Sequence, residues 1–186
     1  MALGKRLNPT LRSFIEAQPL FFVATAARDG RVNLSPKGLG SLVVVDEQRI
    51  RWLNLSGSGN ETAAHLRDTP RMTLMFCAFT GDPMILRVYG TASVVHPHDA
   101  GWNDAVAQFP AMAGSRQVFD LVIEAVQVSC GTGVPRMRFE ASRGEGELLP
   151  FYAEMGPEGV RDYWRRKNTQ SIDGQPTGVV PDDASP

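Results

Sequence analysis

The chain has 186 residues, 42% of them hydrophobic, which fits one domain with a sizeable core rather than two full domains. Its formal net charge of -1 gives no overall attraction to nucleic acid or anionic membranes, so any anion site has to be local. No apolar run approaches the roughly 20 residues of a membrane span, and residues 1–12 lack the apolar stretch of a secretory signal. We therefore expect a soluble cytoplasmic protein without a nucleic-acid or membrane partner.

The predicted elements begin with a short amphipathic helix after Asn8, in which Leu11, Phe14 and Ile15 share one face. Apolar segments bounded by turn residues then predict a series of strands. These cover residues 20–27, 31–35, 42–46, 71–79, 84–95 and 118–130, and one more begins at Arg49. Strands at such short spacing favour an antiparallel barrel over a doubly wound sheet. The predicted fold class is mainly β with flanking helices (α+β).

Helices are predicted from Glu61, from residue 96 to about residue 109, and over residues 157–167. The composition changes after residues 143–146, where Tyr163 and Trp164 lie among charged residues. We assign residues 1–150 to the barrel domain, and residues 151–186 to a C-terminal helix and tail that pack on the barrel or on a partner protomer. Residues 173–186 are rich in Gly, Pro and Asp, so we expect them to cover a partner surface or to be disordered.

Cysteine and histidine residues give little sign of a metal site. Cys77 and Cys130 are the only cysteines, and each lies in an apolar, strand-like run, so both are predicted to be reduced, buried and structural. His96 and His98 could present two imidazoles to a metal, but no third ligand is evident and Pro97 favours a helix entry instead. For His65, the remaining histidine, a surface or helix-packing role is favoured over contact with a ligand.

Residues 49–76 have the layout of an anion-binding cradle. A strand from Arg49 is followed by the turn Ser56-Gly57-Ser58-Gly59, which larger side chains would resist. Asn60 is a suitable N-cap, and a helix starting at Glu61 would point its free N–H groups and positive dipole end at the loop. A phosphate fits this arrangement. An ordinary connection to a capped helix is the alternative.

A second polar turn, residues 33–38, contains Lys37. If the barrel brings this turn to the cradle, Lys37 adds a positive charge to the same phosphate site; a solvated lysine is the alternative. Arg87 is a charge inside a strand and indicates either an exposed edge or a cleft between two protomers. Neither the GxxxxGK[ST] phosphate loop, nor a Rossmann glycine fingerprint, nor a GxSxG elbow is present, which argues against nucleoside triphosphate enzymes, dinucleotide enzymes and serine hydrolases.

Four segments in order carry a family resemblance: VNLSPKG at 32–38, GSGNETAAHL at 57–66, RMTLMF at 71–76 and LRVYG at 86–90. Together they resemble the FMN-binding proteins of the pyridoxamine 5'-phosphate oxidase-like group. SCGTGVP at 129–135 and KNTQSIDG at 167–174 look similar to a less characterised branch of that group, distinct from the oxidase proper.

The resemblance implies a split antiparallel β-barrel that forms a homodimer, with one FMN in each of two clefts between the protomers. The flavin ring would lie along the strand that ends at Lys37, and the phosphate would meet the cradle. A helix with bulky rings near Trp164 would close the partner's cleft. The predicted cofactor-binding residues are Ser35, Pro36, Lys37, Gly38, Asn54, Ser56, Gly59, Asn60, Glu61, Thr62, Arg87 and Trp164.

The chain also departs from the oxidase pattern. Asn60-Glu61-Thr62 stands where the family has a Ser-Arg-Lys phosphate signature, and the C-terminal Arg-x-His substrate motif is absent. Vitamin B6 oxidation is therefore not expected, FMN affinity is expected to be weaker, and residues 131–135 with the helix near Trp164 are predicted to line an apolar pocket above the flavin. The leading interpretation is an FMN-dependent oxidoreductase that transfers a hydride to or from a small organic substrate. The alternatives are a flavin-binding or flavin-storage protein, or a same-fold binder of deazaflavin or haem. No residue stands out as a catalytic acid or base.

Overall fold

A computed structural model of the protein describes residues 3–181. In chain order its strands are β1 (Phe21–Thr25), β2 (Asn33–Lys37), β3 (Leu42–Asp46), β4 (Arg49–Leu55), β5 (Arg71–Cys77), β6 (Met84–Val95) and β7 (Ser115–Cys130). Its helices are α1 (Pro9–Glu16), α2 (Glu61–Asp68), α3 (Trp102–Val106) and α4 (Leu149–Lys167), the last preceded by a π-helical turn, Gly144–Leu148. None of these helices has the length and apolar character that a membrane crossing needs.

The seven strands form one antiparallel sheet in the order β2-β1-β5-β6-β7-β4-β3. The sheet curls into a barrel but does not close, because its two edge strands, β2 and β3, are not paired with each other. Side chains bridge the opening: the Lys37 ammonium on β2 donates to Asn54 Oδ1 on β4 at 3.4 Å. The fold is therefore a split antiparallel barrel with flanking helices, which confirms the predicted fold class.

Inward-facing apolar side chains of the strands fill the barrel. Phe21 stacks on Phe76 with ring centroids 5.9 Å apart, and Trp52 stacks on Phe119 at 4.5 Å. Helix α1 closes one end with the buried Ile15. This helix begins as predicted, since Pro9 stands in its first turn and Asn8 Oδ1 accepts a hydrogen bond from the backbone N–H of Leu11 at 2.8 Å.

Two predicted helical details are wrong. Between residues 96 and 109 only Trp102–Val106 is α-helical, with turns on either side. The predicted C-terminal helix over residues 157–167 is present, and a further helical stretch from Leu149 precedes it; the two meet at Gly156, which takes a φ of 69°, a left-handed conformation that glycine adopts at little cost. Asn60 precedes α2, but its side chain makes no capping bond to that helix and instead donates to the carbonyl of Asn168 at 3.4 Å.

The prediction that both cysteines are buried is wrong for Cys130. Cys77 is buried, but Cys130 is exposed. Successive side chains of a strand point to opposite faces of the sheet, and Cys130 lies on the exposed face of β7 together with Val122, Glu124 and Val128. The Cys130 thiol lies 3.0 Å from the Thr132 hydroxyl, and this hydrogen bond lowers the pKa of the thiol.

Residues 168–181 lie against the barrel and α4 of this same chain, and the expectation that the tail also covers a partner surface stays a prediction. Asp173 accepts hydrogen bonds from the backbone and side chain of Arg31, at the β1–β2 turn. Val179 is buried in a small apolar cluster with Tyr152, Val160 and Trp164 of α4. Residues 182–186, the end of the predicted tail, lie outside the described residues.

Candidate functional site

A cavity of about 330 Å³ opens where the sheet is split, between β2 on one side and β4 with the start of α2 on the other. All of the predicted cofactor-binding residues except Arg87 and Trp164 line it. The remaining lining residues are Asn33, Leu39, Ser41, Leu53, Leu55, Gly57, Ser58, Arg116 and Leu148. The two polar turns that the sequence analysis singled out therefore share one cavity, and the binding role of their residues stays a prediction.

Lys37 extends across the opening of the barrel. Its ammonium lies 3.4 Å from Asn54 Oδ1 and 5.4 Å from the centre of the Trp52 ring. The Asn54 amide in turn donates to Gln117 Oε1 at 3.2 Å, which fixes the orientation of both amides. Burial lowers the pKa of Lys37 to about 8, and the positive charge of Arg116 adds to this effect. Within residues 3–181, no carboxylate forms an ion pair with the charged form of Lys37.

Arg116, which the sequence analysis did not select, is a second buried cation of the cavity. It lies on β7, only 2% exposed. Its guanidinium donates to the carbonyls of Gly59 at 3.0 Å and Gly57 at 3.5 Å, whereas its buried Nε has no partner. Among residues 3–181 no carboxylate forms an ion pair with it, and burial lowers its pKa to about 10. A buried cation without an anion is costly unless a ligand supplies one.

No local sequence pattern marks Arg116 as a site residue. It reaches the cradle because β7 pairs with β4, with Gln117 opposite Asn54 and Ser115 opposite Leu55 across a register shift. The signal that could have found it is indirect: an arginine two residues before the predicted strand at 118–130. Its burial depends on strand pairing, which the sequence analysis did not assign.

The Ser56 and Thr62 hydroxyls, both predicted to bind the cofactor, form hydrogen bonds inside the protein. The Ser56 hydroxyl donates to the carbonyl of Gly114 at 2.8 Å and accepts from Trp164 Nε1 at 2.7 Å. Its single proton is therefore used inside the protein, and it has none free for a phosphate. The Thr62 hydroxyl accepts from the Asn33 amide at 3.1 Å, which ties α2 to β2.

Glu61 places a carboxylate in the wall of the same cavity. Its two oxygens accept a hydrogen bond from the backbone N–H of Ile172 at distances of 3.2 and 3.1 Å. This residue begins α2, where a negative charge interacts favourably with the helix dipole. The donors that remain for an anion thus include Arg116, Lys37, the Thr62 hydroxyl and the first backbone N–H groups of α2.

The structure places Arg87 and Trp164 outside this cavity. The Arg87 guanidinium donates to the Ser129 hydroxyl at 3.2 Å across the β6–β7 pair. Trp164 is buried behind Ser56 in the protomer's own interior. Residues 131–135 do not line the cavity either, and the apolar part of its wall comes from Leu39, Leu53, Leu55 and Leu148 instead.

None of the three histidines lines the cavity. His65 is buried, with its Nδ1 3.0 Å from the Thr25 hydroxyl, which confirms the helix-packing role. His96 stacks on His98 with ring centroids 5.1 Å apart, and burial lowers the pKa of His96 to about 4, so this imidazole is neutral near pH 7. Within residues 3–181, no group of three His, Cys, Asp or Glu side chains is placed to hold a metal ion.

A split antiparallel barrel with a cationic cavity at its opening defines a class of small β-barrel proteins. Within that class, residues 7–130 match the family model described as pyridoxamine 5'-phosphate oxidase, and the chain belongs to this family. It is 34% identical, over 91% of its own length and 75% of the relative's, to the pyridoxamine 5'-phosphate oxidase family protein ustO of Aspergillus flavus. The family match ends at Cys130, so α4 and the segment after it lie beyond that match.

Solved structures share the fold at low sequence identity. HupZ of Group A Streptococcus, in its H111A form, superposes with a TM-score of 0.55 at 18% identity, over 66% of this chain and 98% of its own. A pyridoxamine 5'-phosphate oxidase-related, FMN-binding protein of Nostoc punctiforme superposes with a TM-score of 0.50 at 14% identity, over 71% of this chain and 89% of its own. At such identities the similarity establishes the fold alone.

Proposed function

We propose that the cavity binds FMN, with the flavin phosphate between Arg116, Lys37 and the start of α2. The observation that carries this proposal is Arg116, a buried guanidinium with an unpartnered Nε and no carboxylate beside it. A phosphate would supply the missing negative charge and accept charge-assisted hydrogen bonds from both cations. Arg116 would thereby stand in for positive charge that the Asn60-Glu61-Thr62 segment does not provide.

The rest of the cavity suits the remainder of the cofactor. Pro36, Leu39 and Leu148 offer apolar contact to a flat ring system, while Asn33 and Ser35 on β2 add polar groups along one side. Apolar side chains beside a few placed polar groups are typical of sites for small aromatic ligands.

Bound FMN would supply hydride transfer, and the protein would bind the flavin, orient it and limit access of water. We propose a flavin-dependent oxidoreductase acting on a small organic substrate. The ionisable residues that line the cavity are Lys37, Glu61 and Arg116, and each is already assigned to the anion end or to a backbone donor. Substrate chemistry therefore has to rely on the flavin rather than on an acid or base of the chain.

The same observation favours a second candidate, a flavin-binding protein without turnover of its own. Such a protein needs the anion site and the apolar wall but no acid or base. A haem-binding role is less well supported, because none of the three histidines lines the cavity to serve as an axial ligand. Deazaflavin, which carries phosphate as well, would use the same anion end.

We also propose that two protomers associate and that the flavin lies at their interface. Val122 and Val128 on the outer face of β7 are 53% and 43% exposed. Leu34 on the edge strand β2 is exposed beside the cavity. Apolar side chains on an outer sheet face are the kind of surface that a two-fold partner covers.

The proposed function is tested by titrating the purified protein with FMN and with riboflavin while flavin fluorescence is followed. Because the phosphate contacts two cations, FMN is expected to bind at least about tenfold more tightly than riboflavin. Equal affinities would show that the cavity does not use the phosphate. Reduction of the bound flavin, followed by reoxidation with candidate acceptors, then separates an oxidoreductase from a carrier.

A further inference from the structure

The segment that follows α4 holds the loop of the proposed phosphate site. We define residues 168–179 as the C-terminal strap. We propose that Asn168 in this strap is a positioning residue for flavin phosphate binding: it fixes the backbone of residues 57–60 in the shape that Arg116 and the anion need. This inference rests on the proposed function, and it concerns a part of the chain beyond the family match.

Asn168 is completely buried, and both its side chain and its backbone contact the loop. Its amide donates to the carbonyl of Gly57 at 2.8 Å, and its own carbonyl accepts from the Asn60 side chain at 3.4 Å. The Gly57 carbonyl is also an acceptor for Arg116. One carbonyl oxygen therefore joins the strap and the buried cation, so the position of Asn168 affects where the guanidinium can lie.

Two further contacts surround Asn168 along the same loop. Trp164 Nε1, four residues earlier, donates to the Ser56 hydroxyl, and the backbone N–H of Ile172, four residues later, donates to Glu61. Both ends of the cradle are thus bound by the C-terminal part of the chain. The Ile172 N–H also faces the one carboxylate of the cavity, which reduces the repulsion between Glu61 and an incoming phosphate.

The loop of residues 57–60 depends on contacts with other parts of the chain for a fixed conformation. Gly57 and Gly59 have no side chains, and Ser58 is exposed, so this stretch has few restraints of its own and a large conformational entropy to lose. The strap is itself well fixed. The Thr177 hydroxyl donates to the Asn168 carbonyl at 2.5 Å, and the Thr177 backbone N–H donates to the Thr169 carbonyl at 3.0 Å.

Coupling between strap and ligand is reciprocal by thermodynamic linkage. If Asn168 preorganises the loop for phosphate, bound FMN must in return stabilise the strap. Riboflavin lacks the phosphate and should do so much less. This difference distinguishes a positioning role from a general contribution of Asn168 to folding.

The test compares Asn168→Ala with Gln170→Ala, an exposed position on the same strap. We expect Asn168→Ala to weaken FMN binding by about tenfold, the scale of one lost hydrogen bond in a buried site, and to change riboflavin affinity by less than about twofold. Gln170→Ala should bind both flavins like the wild type. Thr177→Val, which keeps the side-chain shape but removes the hydroxyl bond to Asn168, should lower FMN affinity in the same direction and serves if Asn168→Ala does not fold.

Hydrogen exchange of the flavin-free protein gives a second measurement that needs no cofactor. Amides in residues 56–64 should exchange faster in Asn168→Ala than in the wild type, by about tenfold. Unchanged exchange, or equal losses of FMN and riboflavin affinity, would overturn the inference. If the wild type binds no FMN, the proposed function fails instead, and the exchange rates alone decide whether Asn168 holds the loop.

Discussion

Arg116 brings a positive charge into the interior, where no carboxylate in the described part of the chain forms an ion pair with it, and Lys37 brings a second positive charge to the same cavity. Burial and the positive charge of Arg116 both disfavour the charged form of Lys37, and burial disfavours that of Arg116. The flavin-free protein therefore bears a cost that a bound anion relieves. An experiment can therefore distinguish these two residues, which affect anion binding, from side chains that affect only the stability of the fold.

Replacing Arg116 by Met should weaken FMN binding by about ten- to a hundredfold, because a charge-assisted contact to the phosphate is lost. The flavin-free variant should be no less stable than the wild type, since an uncompensated buried charge is removed. Isothermal titration and thermal unfolding measure the two effects. Arg136→Met, at an exposed arginine, is the control. Wild-type FMN affinity in Arg116→Met would exclude Arg116 from the anion site.

The pKa of Lys37 predicts a pH dependence of anion binding. Lys37 loses its charge as the pH rises through about 8, so FMN affinity should fall by about tenfold between about pH 7 and about pH 9.5. Lys37→Met should bind FMN weakly at both ends of this range and show a flat profile, whereas Lys5→Met, at an exposed lysine, should keep the wild-type profile. A wild-type profile in Lys37→Met would assign the titration to another group.

The same pKa determines the sign of the stability effect in the flavin-free protein. The folded-state value of about 8 lies below the ordinary value of 10.5, so the folded state binds fewer protons than the unfolded state between these values. The contribution of Lys37 to the free energy of unfolding therefore rises with pH across that window. Chemical denaturation at several pH values, with Lys37→Met as the reference, measures it.

At the scale of elements, the β6–β7 pair determines where the cavity residues of β7 lie. The register shifts between Tyr89 and Gly90, so that Gly90 faces Ile123 and β7 continues towards its pairing with β4. A Cβ on Gly90 would lie 2.0 Å from the carbonyl oxygen of Val122, well inside contact distance. Only glycine therefore permits this close approach of the two backbones.

Gly90→Ala should accordingly lower the free energy of unfolding by about 3 kcal/mol or more, because two backbones have to separate. Urea denaturation of the flavin-free protein is the measurement. Gly133→Ala provides a matched control, since the added Cβ there meets no atom within 4 Å. A Gly90→Ala protein as stable as Gly133→Ala would mean that the strands are farther apart than described.

At the scale of the whole molecule, the exposed valines of β7 predict a two-fold dimer. Light scattering at micromolar concentration should give about twice the chain mass of 20.3 kDa. Val122→Glu, which places a charge on the outer face of β7, should shift the protein to monomer, whereas Val45→Glu on the edge strand β3 should not. A wild-type monomer under these conditions would contradict the dimer and the shared cofactor site.

Membership of the family does not by itself imply that this chain oxidises vitamin B6. No Arg-x-His motif follows Cys130, so the chain lacks the cations that the oxidase motif would supply to the phosphate of the substrate. The FMN-loaded protein should therefore oxidise pyridoxine 5'-phosphate at well below about 1 per second, as measured by peroxide release. Chemical reduction and reoxidation of the same sample controls for a competent flavin. Sustained turnover above that rate would restore the oxidase assignment.

The sequence by itself determined the features that depend on local patterns. Alternating apolar positions specified the strands, Asn8-Pro9 specified the start of α1, and the Ser-Gly loop before Glu61 indicated an anion cradle, because strand faces, helix starts and glycine turns follow from neighbouring residues. The order of these motifs was sufficient for the fold class.

Only the tertiary structure decided which side chains meet at the cavity. Arg116 joins Gly57 and Gly59 through the pairing of β7 with β4, and Asn168 reaches Gly57 after more than a hundred intervening residues. The same long-range contacts direct the Ser56 proton to Gly114 and leave Arg87 outside the cavity. Such contacts depend on sheet register and on how the C-terminal strap folds back, and no local periodicity encodes either of them.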